Sequence, residues 1–200
     1  MSGKLYLDAQ TLLEDSWKLG ALVADSDFKP TFILAIWRGG APIGVAVQEM
    51  LRARKIGADH IAIRTQSYEG IDGRQDRVKV YSMNYLVKNV RHEDSLLIVD
   101  DVFDTGRSIE AVIEHLRLKA RENTPANIRV AVPYYKPSRN LTDRKPDYYL
   151  HETDQWLKFP HSLEGLTADE IAENRPELAM ILAEADNPYR SYSPKGSTLI

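Results

Sequence analysis

The sequence of 200 residues contains no cysteine, which excludes disulfide bonds, thiolate zinc sites and cysteine nucleophiles together. It also lacks any run of the ~20 apolar residues that a bilayer-spanning helix needs, and its first residues carry no apolar signal-peptide segment. The net charge of −3 gives no excess of basic residues that would bind nucleic acid or an anionic membrane. These absences predict a cytoplasmic protein with neither nucleic-acid nor membrane partners.

Hydrophobic residues make up 43% of the chain, which is enough for a substantial core. Strand-like and helix-like segments alternate along the sequence, and this order predicts an α/β fold with a mostly parallel central sheet flanked by helices. We predict a single domain over residues 1–186, followed by a loosely ordered Ser-, Pro- and Gly-rich tail over residues 187–200. The predicted buried strands are residues 31–36, 95–99 and 128–132.

The most informative segment is LLIVDDVFDTGRS, residues 96–108. Its apolar strand ends at Asp100 and Asp101, whose carboxylates can accept hydrogen bonds from the hydroxyls of a sugar at the carboxyl edge of the sheet. The glycine, the hydroxyls and the free N–H groups of the next helix suit an anion such as phosphate. The alternative is an ordinary strand end followed by a helix cap. The residues of this loop and helix start are Asp104, Thr105, Gly106, Arg107 and Ser108.

A hydrophobic strand, two acids, a loop and then Asp/Ala-Thr-Gly-x-Ser/Thr resemble the motif of the type I phosphoribosyltransferases, and the likeness extends over residues 30–160. The resemblance implies that family's fold, with a small hood over residues 147–166. It implies that Asp100 and Asp101 hold the ribose hydroxyls and Mg²⁺, directly or through water. It further implies that residues 104–108 bind the 5′-phosphate and that Asp104 is the general base.

Two further segments match the family at positions that contact pyrophosphate. Arg38 and Gly39 lie in an Arg-Gly-Gly turn that is similar to that of the bacterial xanthine–guanine enzymes. Ser67 and Tyr68 open a polar loop, residues 66–77, and such a pair is typical of the 6-oxopurine enzymes, where the loop closes and excludes water. Without the resemblance, these segments also fit a generic glycine turn and a surface loop with no role.

The acceptor side of the resemblance rests on three residues. Lys136 matches a lysine that contacts the 6-oxo oxygen of a purine. Trp156 and Leu157 match the hood positions, where an aromatic or branched residue stacks on the base and backbone carbonyls bind its edge. The alternatives are an exposed lysine and a core aromatic. Purine enzymes of this type often have an acidic residue shortly after the hood proline, where this chain reads His161-Ser162-Leu163-Glu164. The resemblance therefore favours hypoxanthine as the acceptor over guanine or xanthine.

The resulting hypothesis is an Mg²⁺-dependent enzyme of purine salvage that transfers the phosphoribosyl group of phosphoribosyl pyrophosphate to a 6-oxopurine base. The family resemblance also implies a homo-oligomer, either a dimer or a tetramer. Two alternatives stay open at this stage. One is a regulator that binds phosphoribosyl pyrophosphate without turnover, and the other is a phosphoribosyltransferase for a non-purine acceptor.

Overall fold

The structure, a computed structural model, describes residues 3–68 and 77–185, and the chain separates into two compact units. The large unit is Met1–His161 and the small unit is Ser162–Ile200. The single domain over residues 1–186 and the hood over residues 147–166 stay predictions, and the predicted tail lies outside the described residues. No helix in the described ranges is both long enough and apolar enough to cross a membrane.

The helices and strands of the large unit are, in chain order, β1 (Lys4–Tyr6), α1 (Ala9–Asp25), β2 (Phe32–Trp37), α2 (Gly40–Ala53), β3 (Asp59–Tyr68), β4 (Arg77–Tyr81), α3 (Asn84–Asn89), β5 (Ser95–Val99), β6 (Val102–Phe103), α4 (Arg107–Ala120), β7 (Asn127–Tyr135), β8 (Tyr148–Glu152) and β9 (Trp156–Lys158). The small unit contains α5 (Ala168–Asn174) and α6 (Pro176–Ala185). A capping box between Thr167 and Glu170 opens α5.

A seven-stranded sheet forms the centre of the large unit, with the order β4-β3-β2-β5-β7-β6 and with β8 also paired to β7. Its pairings are parallel except for β3 with β4, so the predicted mostly parallel α/β sheet is confirmed. A second sheet consists of β1 and β9, which pair in parallel.

Alternating side chains of the central strands enter two hydrophobic clusters on opposite faces of the sheet, as the period of two along a strand requires. On one face, Leu34 and Ile98 pack with the apolar side of α4. On the other face, Ile33 and Leu97 pack with α1 and α2. Because both faces of the sheet are covered, the sequences of β2 and β5 are continuous apolar runs. The two strands are parallel neighbours, so their carboxyl ends meet at one edge of the sheet.

Candidate functional site

The two adjacent acids lie between the end of β5 at Val99 and the start of β6 at Val102. Val99 of β5 pairs with Ala131, and Val102 of β6 pairs with Tyr134, so the two strands continue one register along β7. Asp100 bridges the gap, because its backbone N–H donates to the Ala131 carbonyl at 3.3 Å. The predicted strand over residues 95–99 is therefore observed as β5, and the pairing of β6 with β7 holds the backbone on the far side of the acids as well.

The Arg-Gly-Gly turn packs directly against these acids. A Cβ atom on Gly39 would lie 1.9 Å from Asp101 Oδ2, and a Cβ atom on Gly40 would lie 2.5 Å from the Val99 carbonyl oxygen. Glycine is therefore required for the turn to approach the carboxylates so closely. Arg38 precedes Gly39 in this turn, after a cis Trp37–Arg38 peptide bond. The structure thus brings the predicted pyrophosphate turn and the predicted ribose acids together.

The carboxyl group of Asp100 carries an electrostatic penalty. Burial, and then the neighbouring carboxylate of Asp101, raise the pKa of Asp100 well above its ordinary value. The backbone N–H of Asp101 donates to Asp100 Oδ1 at 3.0 Å and offsets part of this penalty. Mg²⁺ prefers oxygen ligands and keeps several of its water molecules when it binds to one or two carboxylates. The adjacent carboxylates of Asp100 and Asp101 suit such a cation.

His161 is a partner of the acids that the sequence did not reveal. Its Nε2 atom lies 3.1 Å from Asp101 Oδ2, and its ring stacks on Phe159 with centroids 5.2 Å apart. The sequence placed His161 only after the hood proline. Its contact with an acid 60 positions earlier has no local sequence pattern that could have predicted it.

The loop after β6 forms a compact anion cradle at the start of α4. Gly106 adopts φ +78°, in the left-handed region, and a Cβ atom there would lie 2.5 Å from Thr142 Oγ1. The first helical residue, Arg107, donates its backbone N–H to Thr105 Oγ1 at 3.4 Å. A cavity of about 190 Å³ opens here, lined by residues 100–106, Ser108 and Ile109. A helix N-terminus that follows a tight glycine turn beside such a cavity suits a phosphate group.

Asp104, the predicted general base, lies between two cations. Arg139 Nε donates to Asp104 Oδ1, and Lys136 Nζ lies 3.8 Å from Asp104 Oδ2. Lys136 is buried, and its backbone N–H donates to the Phe103 carbonyl at 2.9 Å. The structure therefore places Lys136, the residue predicted to bind the nucleobase, beside Asp104, the predicted general base. Arg139 was missed, and the pairing of β6 with the end of β7 is what places it here.

The two hood residues point to opposite sides of β9. Trp156 is 58% exposed, with Lys158 Nζ 5.4 Å from the centroid of its ring, whereas Leu157 is 8% exposed and belongs to the core. A base can therefore stack on the Trp156 side chain, while Leu157 has only its backbone to offer. This alternation follows from the strand conformation of β9.

The two predicted residues of the polar loop lie at the edge of the described part of the chain. Ser67 and Tyr68 are the last residues of β3, and their side chains lie outside what the structure describes, as do residues 69–76 of the predicted loop. Within residues 3–68 and 77–185, no three His, Asp or Glu side chains converge as a preformed metal site.

Comparisons with known proteins agree with this architecture. Residues 6–170 match the family model described as a phosphoribosyl transferase domain. The hypoxanthine-guanine phosphoribosyltransferase of Lactococcus lactis is 24% identical over 188 residues, which cover 92% of this chain and 93% of that protein.

Solved structures show the same fold. The purine phosphoribosyltransferase of Pyrococcus horikoshii aligns with a TM-score of 0.62 at 24% identity, over 82% of this chain and 97% of its own. A hypothetical protein of Neisseria gonorrhoeae with bound ppGpp aligns with a TM-score of 0.69 at 19% identity, over 90% of this chain and 98% of its own. The Helicobacter pylori xanthine-guanine-hypoxanthine phosphoribosyltransferase aligns with a TM-score of 0.56 at 19% identity, over 80% and 92%.

Proposed function

The chain belongs to the phosphoribosyltransferase family and is a phosphoribosyltransferase enzyme, and on that premise we propose that its acceptor is a 6-oxopurine base, with hypoxanthine favoured. The donor is 5-phosphoribosyl pyrophosphate and the products are a purine nucleotide and pyrophosphate. The observation that carries this proposal is the pair formed by Lys136 Nζ and Asp104 Oδ2, which lie 3.8 Å apart.

The Lys136–Asp104 pair is complementary to one edge of a 6-oxopurine. A separation of 3.8 Å is too long for a hydrogen bond, so a donor and an acceptor stand side by side and each can bind a ligand atom. In a 6-oxopurine, O6 and N7 lie together on one edge, and O6 accepts while a protonated N7 donates. Adenine presents an amino donor at position 6, which the Lys136 ammonium group cannot bind.

The contacts of His161 support a preference among the oxopurines. The position after Pro160 carries this imidazole, and its Nε2 atom already faces Asp101 Oδ2. A carboxylate at that position would accept hydrogen bonds from the 2-amino group of guanine. Hypoxanthine has no 2-substituent and needs no such partner, so it is the favoured acceptor.

The donor half of the site supports the reaction as follows. Asp100 and Asp101 orient the ribose hydroxyls, and residues 104–108 hold the 5′-phosphate against the start of α4. Arg38 and the Gly39 amide stabilise charge on the leaving pyrophosphate. When Mg²⁺ is bound, directly or through water, at Asp100 and Asp101, it supplies further neutralisation of that charge.

Asp104 completes the chemistry by accepting a proton. As a ring nitrogen of the base bonds to C1 of the ribose and the bond to pyrophosphate breaks, the N7 proton passes to the Asp104 carboxylate. The ribosyl centre develops oxocarbenium character during this displacement. The carboxylates beside the ribose stabilise this positive charge because they are held in place by the sheet.

A panel assay tests this proposal. Pyrophosphate release is measured with donor and Mg²⁺ against hypoxanthine, guanine, xanthine, adenine, uracil and orotate. We expect release with the 6-oxopurines, highest kcat/KM with hypoxanthine, and none with adenine. Activity with uracil or orotate alone would contradict the purine acceptor, and a higher kcat/KM for guanine would contradict the hypoxanthine preference.

The same assay separates the enzyme from a donor-binding regulator. Donor binding measured by calorimetry, together with no release from any base, would favour a regulator without turnover. The Neisseria structure has bound ppGpp, whose phosphates and ribose are of the same chemical kind as the donor, so ppGpp is a suitable competitor in that binding experiment. Light scattering tests the predicted dimer or tetramer.

A further inference from the structure

The backbone around Arg139 is attached to the loop that carries Asp104. Before the turn, the Lys136 N–H donates to the Phe103 carbonyl at 2.9 Å, and after it the Leu141 N–H donates to the Thr105 carbonyl at 3.1 Å. Arg139 ends a short 3₁₀ turn, and its own N–H donates to the Lys136 carbonyl at 3.2 Å. The position of Arg139 beside Asp104 is therefore fixed by three main-chain hydrogen bonds, and not only by a long flexible side chain.

The two cations contact different oxygens of the Asp104 carboxylate. Arg139 Nε donates to Oδ1, while Oδ2 faces Lys136 Nζ at 3.8 Å. Arginine suits the first contact because its planar guanidinium group is permanently charged and directs its N–H bonds rigidly. Arg139 thus holds Oδ1 of Asp104 in place, and Oδ2 lies beside Lys136, the residue proposed to bind the nucleobase.

Stability does not explain this ion pair well. The side chains of Arg139 and Asp104 are 51% and 34% exposed, and ion pairs exposed to this extent contribute little to folding. A contact that orients a catalytic carboxylate, in contrast, affects the rate strongly, because proton transfer requires the accepting oxygen to lie on the line of the N–H bond.

We propose that Arg139 is a positioning residue for the reaction: it fixes the rotation of the Asp104 carboxylate so that Oδ2 accepts the proton of the base. This inference rests on the proposed function. It adds a residue that the family resemblance did not name, and it assigns separate roles to the two cations. Arg139 orients Asp104, and Lys136 binds the acceptor.

The experiment compares Arg139→Gln and Arg139→Lys with the wild-type enzyme, using the acceptor that turns over fastest in the panel assay. Arg139→Gln should lower kcat by roughly 10- to 100-fold while the KM for the donor changes less than about twofold, as expected for a mispositioned group. Arg139→Lys should recover part of kcat, because it restores a cation without the rigid geometry. The Tm of both variants should stay close to that of the wild type.

Two controls make the result specific. Arg54→Gln removes an ion pair with Asp25 in which the arginine is 52% exposed, close to the 51% of Arg139, and it should leave kcat unchanged. In an Asp104→Asn background, Arg139→Gln should cause no further loss, because Arg139 acts through Asp104.

The outcomes separate this inference from the proposed function. Wild-type turnover together with an unchanged kcat in Arg139→Gln would overturn the role of Arg139 alone. A further loss of the full 10- to 100-fold in the Asp104→Asn background would also overturn it, because Arg139 would then act independently. Absence of wild-type turnover with every base would overturn the proposed function, and the positioning role with it.

Discussion

The backbone of Gly39 lies against the carboxylate of Asp101, so closely that a Cβ atom on residue 39 would be 1.9 Å from Oδ2. This contact joins the turn after β2 to the acids between β5 and β6. If a methyl group is added to residue 39, the turn and the carboxylate cannot both keep their positions. The proposed donor site therefore includes a position at which the packing requires glycine.

Gly39→Ala should weaken binding of the Mg²⁺-bound donor by at least about 10-fold, because relief of the overlap displaces either the turn or Asp101. Calorimetric titration with the donor measures this. Gly57→Ala is the matched control, since a Cβ atom there meets nothing within 4 Å, and it should bind the donor like the wild type. Wild-type affinity in Gly39→Ala would contradict the close packing of the turn on the acids.

Asp104→Asn should lower kcat by about 10²- to 10⁴-fold, because the amide cannot accept the proton of the base. The dissociation constant of the phosphoribosyl donor should change little, since the loop over residues 104–108 keeps its backbone N–H groups in the variant. Asp25→Asn serves as a control, because it changes an exposed acid of the Arg54 ion pair. If Asp104→Asn kept turnover within a factor of about two, the role of general base would be wrong.

Asp100→Asn should change how stability depends on pH. Burial and the nearby Asp101 raise the pKa of Asp100 above its ordinary value of 3.8. Between the unfolded and folded pKa values, the folded protein therefore holds a proton that the unfolded chain has lost. The free energy of unfolding of the wild type therefore falls as the pH rises through that window.

The neutral amide of the Asp100→Asn variant carries no such penalty. Its Tm should exceed that of the wild type above the folded pKa, and this difference should shrink as the pH falls toward 3.8. Thermal melts across this pH range, with chelator present, give the measurement. Parallel pH profiles for the two proteins would show that Asp100 does not carry the penalty.

Trp156→Ala and Leu157→Ala should separate binding from stability. The Trp156 ring is exposed, and stacking of a base on an aromatic ring contributes about 1–3 kcal/mol. Its removal should therefore raise the KM for the base by roughly 10- to 100-fold and change Tm little. Leu157 is in the core, and its truncation should cost about 2–5 kcal/mol of unfolding free energy. Each variant is the control for the other. A loss of stability in Trp156→Ala together with a raised KM in Leu157→Ala would contradict the orientation of β9.

Much of the fold follows from patterns that are local in the sequence. The apolar runs of β2 and β5, and the cap-and-glycine pattern before α4, each lie within a few residues, so periodicity and turn chemistry were sufficient to predict them. Strand β6 was not predicted, because two residues are too few to show any period. Its pairing with the end of β7 depends on residues far along the chain.

Two contacts of the candidate site follow from no pattern that is local in the sequence. Asp101 and His161 are 60 positions apart, and Asp104 and Arg139 are 35 apart, so tertiary packing alone brings them together. Leu157 illustrates a different limit. The resemblance supplied two adjacent hood residues, but adjacent residues of a strand face opposite sides and only one of them can present its side chain to a base.

The separation of the β1–β9 sheet from the seven-stranded sheet has a consequence for how this scaffold can change. The residues proposed for the donor lie on loops anchored by the large sheet, whereas Trp156 lies on a strand whose only paired partner in the described chain is β1. Exposed positions around β9 can therefore vary without altering the strand register of the seven-stranded sheet, which anchors the loops proposed to bind the donor. Selection for a new nucleobase, natural or in the laboratory, should concentrate its substitutions at the exposed residues 154–156 and leave the donor half unchanged.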